Sequence, residues 1–164
     1  LHYRTREGDV VQDEVTERMV IRGVPELCFA VLTEFESYPE WAADIKSVSV
    51  EQRDDQGRAT RVTFRAAAFG RGTSYTLFYD YSGAPGELSW VQVDGDLTRR
   101  LDGTYILEQA GEDSTEIRYD LIVELKVPLP GFVKRRAESR ITGTALRELK
   151  ARVEAAGQPL AEPR

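Results

Sequence analysis

The spacing of apolar positions divides this chain into a short helical opening, a long alternating middle and a helical close. From Val11 to Ile21, β-branched residues in loose alternation, closed by Gly23, predict a first strand. Val24-Pro25-Glu26 then puts proline and an acid in a first helical turn ahead of Leu27, Phe29, Val31 and Leu32, which predicts a short helix. The stretch from Glu36 to Ala42 repeats the device, with Ser37 as cap and Pro39 early in the turn, so a second short helix follows. After Asp44 the period becomes two. Turn residues at Asp54-Asp55-Gln56-Gly57, Gly70 to Gly72, Ala84-Pro85-Gly86, Asp94-Gly95-Asp96 and Gly111 to Ser114 cut this stretch into strands. The last strand is the clearest, with Ile117, Tyr119, Leu121, Val123, Leu125 and Val127 on one face. From Phe132 the helical period returns: Val133, Ala137, Ile141, Ala145, Leu149 and Val153 recur every four residues, with Phe132 and Leu146 widening the stripe, until Gly157 and Pro159 end it.

This order predicts an α+β domain: a seven-stranded curved antiparallel sheet wrapped around a long C-terminal helix, with two short helices after the first strand. The turns are too short for parallel crossovers. The domain is expected over residues 11–156, with residues 1–10 and 157–164 as tails. Only the last helix is long enough to cover the sheet, and its stripe carries Ala137, Gly143, Thr144 and Ala145 where tight packing calls for larger side chains. Across from it the sheet presents Phe64, Tyr75, Tyr79, Trp90, Tyr105 and Tyr119, large apolar rings, several with polar tips. Small residues facing large rings predict a cavity between helix and sheet.

Composition narrows the function. The chain has 164 residues, 41% hydrophobic and 30% charged, enough for one core without a staple. Its single cysteine, Cys28, allows no internal disulfide and no thiolate metal site, fits a reducing, cytoplasmic compartment, and reads as a small buried hydrophobe. The single histidine, His2, lies in the expected tail, which argues against a Ser-His-Asp triad and His-ligated zinc. No metal and no cofactor are expected. A net charge of −6 disfavours nucleic acid as the main partner. No apolar run is long enough to span a membrane, and the start has no basic-then-apolar signal pattern, although Leu1 in place of Met leaves open that a segment was removed.

The segments Tyr38-Pro39-Glu40-Trp41, Leu88-Ser89-Trp90, Leu101-Asp102-Gly103-Thr104-Tyr105, Ser114 to Tyr119 and Phe132 to Glu138, in this order, resemble the polyketide cyclase/dehydrase group of the START-like (SRPBCC) superfamily. The resemblance spans roughly residues 11 to 155. It implies a helix-grip fold whose cavity holds lipids, sterols, polyketides or other hydrophobic molecules. Members include aromatase/cyclases and coenzyme Q-binding proteins, so the resemblance fixes fold more firmly than activity.

The expected ligand-binding set is Trp41, Phe64, Tyr75, Tyr79, Trp90, Tyr105, Tyr119, Leu121, Phe132 and Ile141, with Trp41 gating the mouth. The first function this predicts is binding, extending to transport, of a hydrophobic small molecule such as a lipid or polyketide. The second is a polyketide aromatase/cyclase using acid-base chemistry in the same cavity, and the third a protein-interaction module. No catalytic residue is assigned. Arg61, Arg65 and Arg118 point outward in the strand phase, Arg99 shares the inward phase, and Glu34 and Tyr38 read as polar residues near the entrance. The basic residues of the last helix read as a solvated face with pairs such as Glu148 with Arg152, or as peripheral contact with an anionic membrane. Monomer and homodimer both remain open.

Overall fold

The computed structural model describes residues 2–3, 12–68 and 70–157. Its strands are β1 (His2–Tyr3), β2 (Gln12–Arg22), β3 (Ile45–Arg53), β4 (Ala59–Ala68), β5 (Arg71–Asp80), β6 (Glu87–Gly95), β7 (Thr98–Gly111) and β8 (Ser114–Leu125). Between β2 and β3 lie helix α1 (Pro25–Thr33), a single 3-10 turn (Phe35–Ser37) and the four-residue helix α2 (Tyr38–Trp41). Helix α3 (Gly131–Ala156) closes the fold.

Seven long strands form one antiparallel sheet in the order β2-β8-β7-β6-β5-β4-β3, the expected α+β helix-grip architecture. The two-residue β1 extends the β2 edge, His2 opposite Asp13 and Tyr3 opposite Gln12, so part of the expected tail is sheet. The rest of both expected tails, apart from Gly157, lies outside the described residues, as does the His2 side chain. Strands β3 to β8 run as a meander, because turn chemistry sends each strand back beside its predecessor. At Asp54 the carboxylate accepts from the backbone N–H groups of Gln56 and Arg58 at 2.9 Å, and Gly57 takes the left-handed conformation at φ 82°.

β8 alternates as its sequence demands: Thr115, Ile117, Tyr119, Leu121 and Val123 are buried and the residues between them are not. Val127 leaves this pattern, because the strand has already ended. In α3 the stripe differs from the expected one. Glu138, Thr142, Gly143, Leu146, Leu149 and Val153 are buried, while Val133, Ala137, Ile141 and Ala145 are only half-buried. A strict four-residue repeat winds about 40° around a helix at each step, so the stripe drifts off the core face toward the N-terminal end. The core face there is polar instead. Glu138 is buried and paired with Lys134 one turn back, and Thr142 donates to Glu17 of β2 at 3.4 Å. Glu148 does not pair with Arg152: it accepts from the Ala43 backbone N–H at 3.2 Å, and Arg152 pairs with Glu40 at 3.0 Å. Both contacts tie α3 to the α2 region.

One close approach shapes the middle of the sheet. Trp90 of β6 lies flat over Gly103 of β7, its cross-strand partner. A methyl group built on Gly103 would sit 2.8 Å from Cε2 and 2.9 Å from Cη2 of the indole, well inside contact distance. Gly103→Ala should therefore cost about 1–3 kcal/mol through forced displacement of the ring. Gly72→Ala meets nothing within 4 Å and should stay within about 0.5 kcal/mol of the parent. Urea unfolding of the two variants checks this, and equal midpoints would contradict the close approach.

Candidate functional site

Because the inward positions of β4 to β8 carry rings, the concave face holds a belt of aromatic contacts. Tyr38 lies 4.9 Å from Trp41 and 5.9 Å from Phe64, between ring centroids, and Phe64 stacks on Tyr75 at 5.3 Å. Phe35, on the 3-10 turn, lies 4.5 Å from Tyr79, which continues to Trp90 at 5.6 Å. Trp90 meets Tyr105 at 5.3 Å and Tyr119 at 5.9 Å, and the last two lie 4.4 Å apart. Each such pair adds about 0.5–1.5 kcal/mol beyond the area it buries.

The belt does not close on itself. Between it and α3 remains a cavity of about 190 Å³, lined on the helix side by Ile141, Thr144, Ala145 and Glu148. Eight of the ten expected site residues surround it: Trp41, Phe64, Tyr75, Tyr79, Trp90, Tyr105, Tyr119 and Ile141. Leu121 is 1% exposed and lies in the solid core beside the cavity without lining it. Phe132 is 61% exposed on the first turn of α3, outside the cavity, because the stripe that was expected to turn it inward drifts. Of the small helix residues, Thr144 and Ala145 line the cavity, while Ala137 and Gly143 do not.

Sequence reasoning placed Tyr38 among entrance residues, but its ring lines the cavity and its hydroxyl donates to the Leu32 carbonyl at 2.6 Å. Its partner Glu34 is exposed. The signal was available in Tyr38-Pro39-Glu40-Trp41, where a four-residue helix puts Tyr38 and Trp41 on one side. Phe35 and Asp44 were missed. Arg99 is exposed and outside the cavity, since a register irregularity between Thr98 and Arg100 breaks the alternation that gave it an inward phase.

The polar groups of the cavity are mostly neutral donors. Burial pushes the phenols of Tyr38, Tyr79, Tyr105 and Tyr119 well above their ordinary range, and burial with the nearby Asp44 charge raises Tyr75 as well. The Tyr105 and Tyr119 hydroxyls interact with each other. Those of Tyr75 and Tyr79 have no hydrogen-bond partner among the described residues. The indole Nε1–H of Trp90, a residue 6% exposed, is also buried without a partner there. Leaving such a donor unsatisfied costs about 1–3 kcal/mol. Cys28 is fully buried in α1, and burial pushes its thiol up, away from the reactive thiolate. No group of three His, Cys, Asp or Glu side chains gathers as a metal site among the described residues.

A larger depression of about 710 Å³ lies on the outer face of the sheet, around Phe78, Val91 and Thr104. It is open to solvent, and its charges largely satisfy one another, Arg58 with Asp54 at 2.8 Å and Arg100 with Asp102 at 2.7 Å. The cavity between the sheet and α3 is the better candidate because it is less open and has apolar walls and unsatisfied donors.

Residues 24–150 match a family model described as polyketide cyclase/dehydrase and lipid transport. Among solved structures, a START superfamily protein from Mycobacterium smegmatis superposes with a TM-score of 0.83 at 23% identity, covering 87% of this chain and 98% of that one. The Zhui aromatase/cyclase from Streptomyces sp. R1128 gives 0.78 at 12% identity, covering 90% and 99%. A major latex-like protein 151 from Panax ginseng gives 0.68 at 11% identity, covering 86% and 97%. At these identities the likeness is one of fold. A search of curated protein sequences finds no significant match. No helix among the described residues is long and apolar enough to cross a membrane.

The raised phenols have a direct consequence. In the unfolded chain tyrosines ionise near pH 10, whereas the folded cavity holds them protonated. Above that pH the unfolded state has lost protons that the folded state keeps, so stability should fall as pH rises past about 10. Spectrophotometric titration should show the five cavity tyrosines ionising only with unfolding; reversible tyrosinate absorbance from all seven tyrosines at the ordinary pH would contradict this.

Proposed function

Because this chain belongs to the polyketide cyclase/dehydrase and lipid transport family, we propose that it binds a compact hydrophobic molecule bearing an oxygen acceptor, held between the sheet and α3. The observation that carries this reading is the pair of unpartnered hydroxyls on Tyr75 and Tyr79, two rings that line an apolar cavity. A carbonyl or phenol oxygen would satisfy these donors, and the surrounding rings would supply the apolar contact. Size supports the same class. An apolar protein cavity of about 150 Å³ already accepts benzene, so about 190 Å³ suits a one- or two-ring guest or one end of a longer chain. Transport of that guest is the natural extension of binding. The cytoplasmic assignment rests on the reducing compartment that a single buried cysteine fits. An interaction module with a solid interior fits the cavity less well.

A cyclase reading has one observation in its favour. Asp44 lines the cavity close enough to raise the Tyr75 phenol, which puts a carboxylate base near a neutral acid. Incubation with a minimal polyketide synthase tests this second reading, and an unchanged product distribution removes it.

Both tryptophans of the chain, Trp41 and Trp90, line the cavity, so their fluorescence reports on its contents. Titration with 2-naphthol and with naphthalene should quench it, with the naphthol bound more tightly. Tyr79→Phe keeps an aromatic ring and removes the donor, and should reduce the preference for naphthol by about 2- to 10-fold. Absence of quenching by either probe, together with no co-purified ligand in native mass spectrometry, would sink the proposal.

A further inference from the structure

The start of α3 carries charge and apolar surface that the folded chain leaves unused. Between residues 126 and 147 the bases are Lys126, Lys134, Arg135, Arg136, Arg140 and Arg147, against the single acid Glu138, in a chain whose net charge is −6. Glu138 is buried and paired with Lys134, so one acid stands against six bases here. Lys126, Arg135, Arg136 and Arg140 are exposed and have no ion-pair partner among the described residues. Many basic side chains elsewhere do have one, including Arg53 with Glu36, Arg61 with Glu51 and Arg118 with Asp120.

The placement of these cations works against the helix itself. Arg136 and Arg140 are like charges one turn apart, an arrangement that weakens a helix. The first turn of α3 has no acid, and Arg135 and Arg136 sit near the positive end of the helix dipole. An anion at this end would relieve both effects. Apolar surface accompanies the charge: Phe132 is 61% exposed and Val127 is 58% exposed. Phe132 lies one turn before Arg136 on the same side of the helix. The linker from Val127 to Gly131 contains Pro128 and Pro130, with Pro130 at φ −56° and ψ 144°, an extended and stiff conformation that keeps the apolar tip out. The same end of the fold borders the cavity, since the Lys126 N–H donates to the Leu97 carbonyl at 3.0 Å and Leu97 lines the cavity wall.

We propose that this end of the molecule, Val127 and Phe132 flanked by Lys126, Arg135, Arg136 and Arg140, docks on an anionic lipid surface. The cations face the headgroups while the two apolar side chains enter the acyl boundary. Exposed apolar side chains beside unpaired cations favour a lipid surface over a nucleic acid, which offers phosphate without hydrocarbon. Each basic side chain at an anionic membrane surface contributes roughly fivefold to binding. The patch is separate from the ring belt, so it stands or falls independently of the ligand reading.

Sedimentation of the full chain with phosphatidylcholine vesicles, with and without phosphatidylglycerol, tests the docking. Binding is expected only where phosphatidylglycerol is present, and it should weaken as salt is raised. Arg136→Gln with Arg140→Gln should reduce it by roughly 25-fold. Phe132→Ser should also reduce it while leaving the salt dependence in place. All three substituted side chains are exposed, and thermal unfolding confirms that the variants stay folded. No binding to phosphatidylglycerol vesicles at low salt would overturn the proposal. Equal binding to heparin or single-stranded DNA, unaffected by Phe132→Ser, would overturn it too by marking the patch as a simple polyanion site.

Discussion

The architecture depends on a mismatch between the width of the sheet and the width of the one helix that covers it. Seven strands at about 4.8 Å spacing make a concave face roughly 29 Å across, and a helix with its side chains is about 10 Å wide. α3 packs mainly on β2, with lesser contact to β8 and α1. The strands from β4 to β7 must be covered by something else. The chain solves this with the 3-10 turn, α2 and large rings that reach up from the sheet. Phe35, Tyr38 and Trp41 come down from above to meet Phe64, Tyr75 and Tyr79 from below. Flat rings meeting at interplanar angles from 22° to 80° do not tile space as branched aliphatic side chains do, and a cavity remains.

The same rings decide what that cavity can recognise. A wall of leucine would bind any apolar guest of the right size. A wall of tyrosine and tryptophan adds donors, and burial holds the phenols neutral, so the interior offers hydrogen to an acceptor and carries little charge of its own. Among the described residues carboxylates enter only at Asp44 and Glu148, and Glu148 already accepts from the Ala43 backbone. This chemistry is what the proposed oxygenated apolar guest would require, and the proposed cyclase reading would have its carboxylate at Asp44.

Legibility in the sequence followed how strongly local patterning was tied to burial. β8 was readable residue by residue because its inner face is covered along nearly its whole length. The sheet rings were readable for the same reason, since alternation fixes which side chains share a face once the strand is known. Arg99 escaped this logic because the irregularity between Thr98 and Arg100 inverts the phase, and nothing in the adjacent residues announces it. Phe132 was misplaced by a repeat of four where the helix repeats every 3.6 residues. Phe35 sits in a 3-10 turn too short for any period to develop, so its inward placement is set by tertiary packing, whereas Tyr38 shares a side of its four-residue helix with Trp41. The pairing of Arg152 with Glu40, 112 residues away, is likewise a product of the assembled fold.

The lip of the cavity sets the relation between its present volume and the guests a helix-grip protein can hold. At about 190 Å³ the space is below the several hundred Å³ common for ligand pockets, so a larger guest has to displace protein atoms. The walls on the sheet side are least able to move: Trp90 is confined by Gly103 beneath it and by three tyrosine rings around it. On the other side, the lip is held by the Tyr38 hydroxyl on the Leu32 carbonyl, by Glu148 on the Ala43 N–H and by the exposed Arg152–Glu40 pair. Hydrogen bonds of this kind contribute about 1 kcal/mol each and an exposed ion pair less, and the Tyr38 ring adds its packing on Phe35 and Phe64. The lip therefore rests on a few separable contacts, and the floor on a continuous hydrogen-bonded sheet. Expansion for a larger guest would proceed by lifting α2 with Tyr38 and Trp41, while the donors of the floor stay where the strands put them.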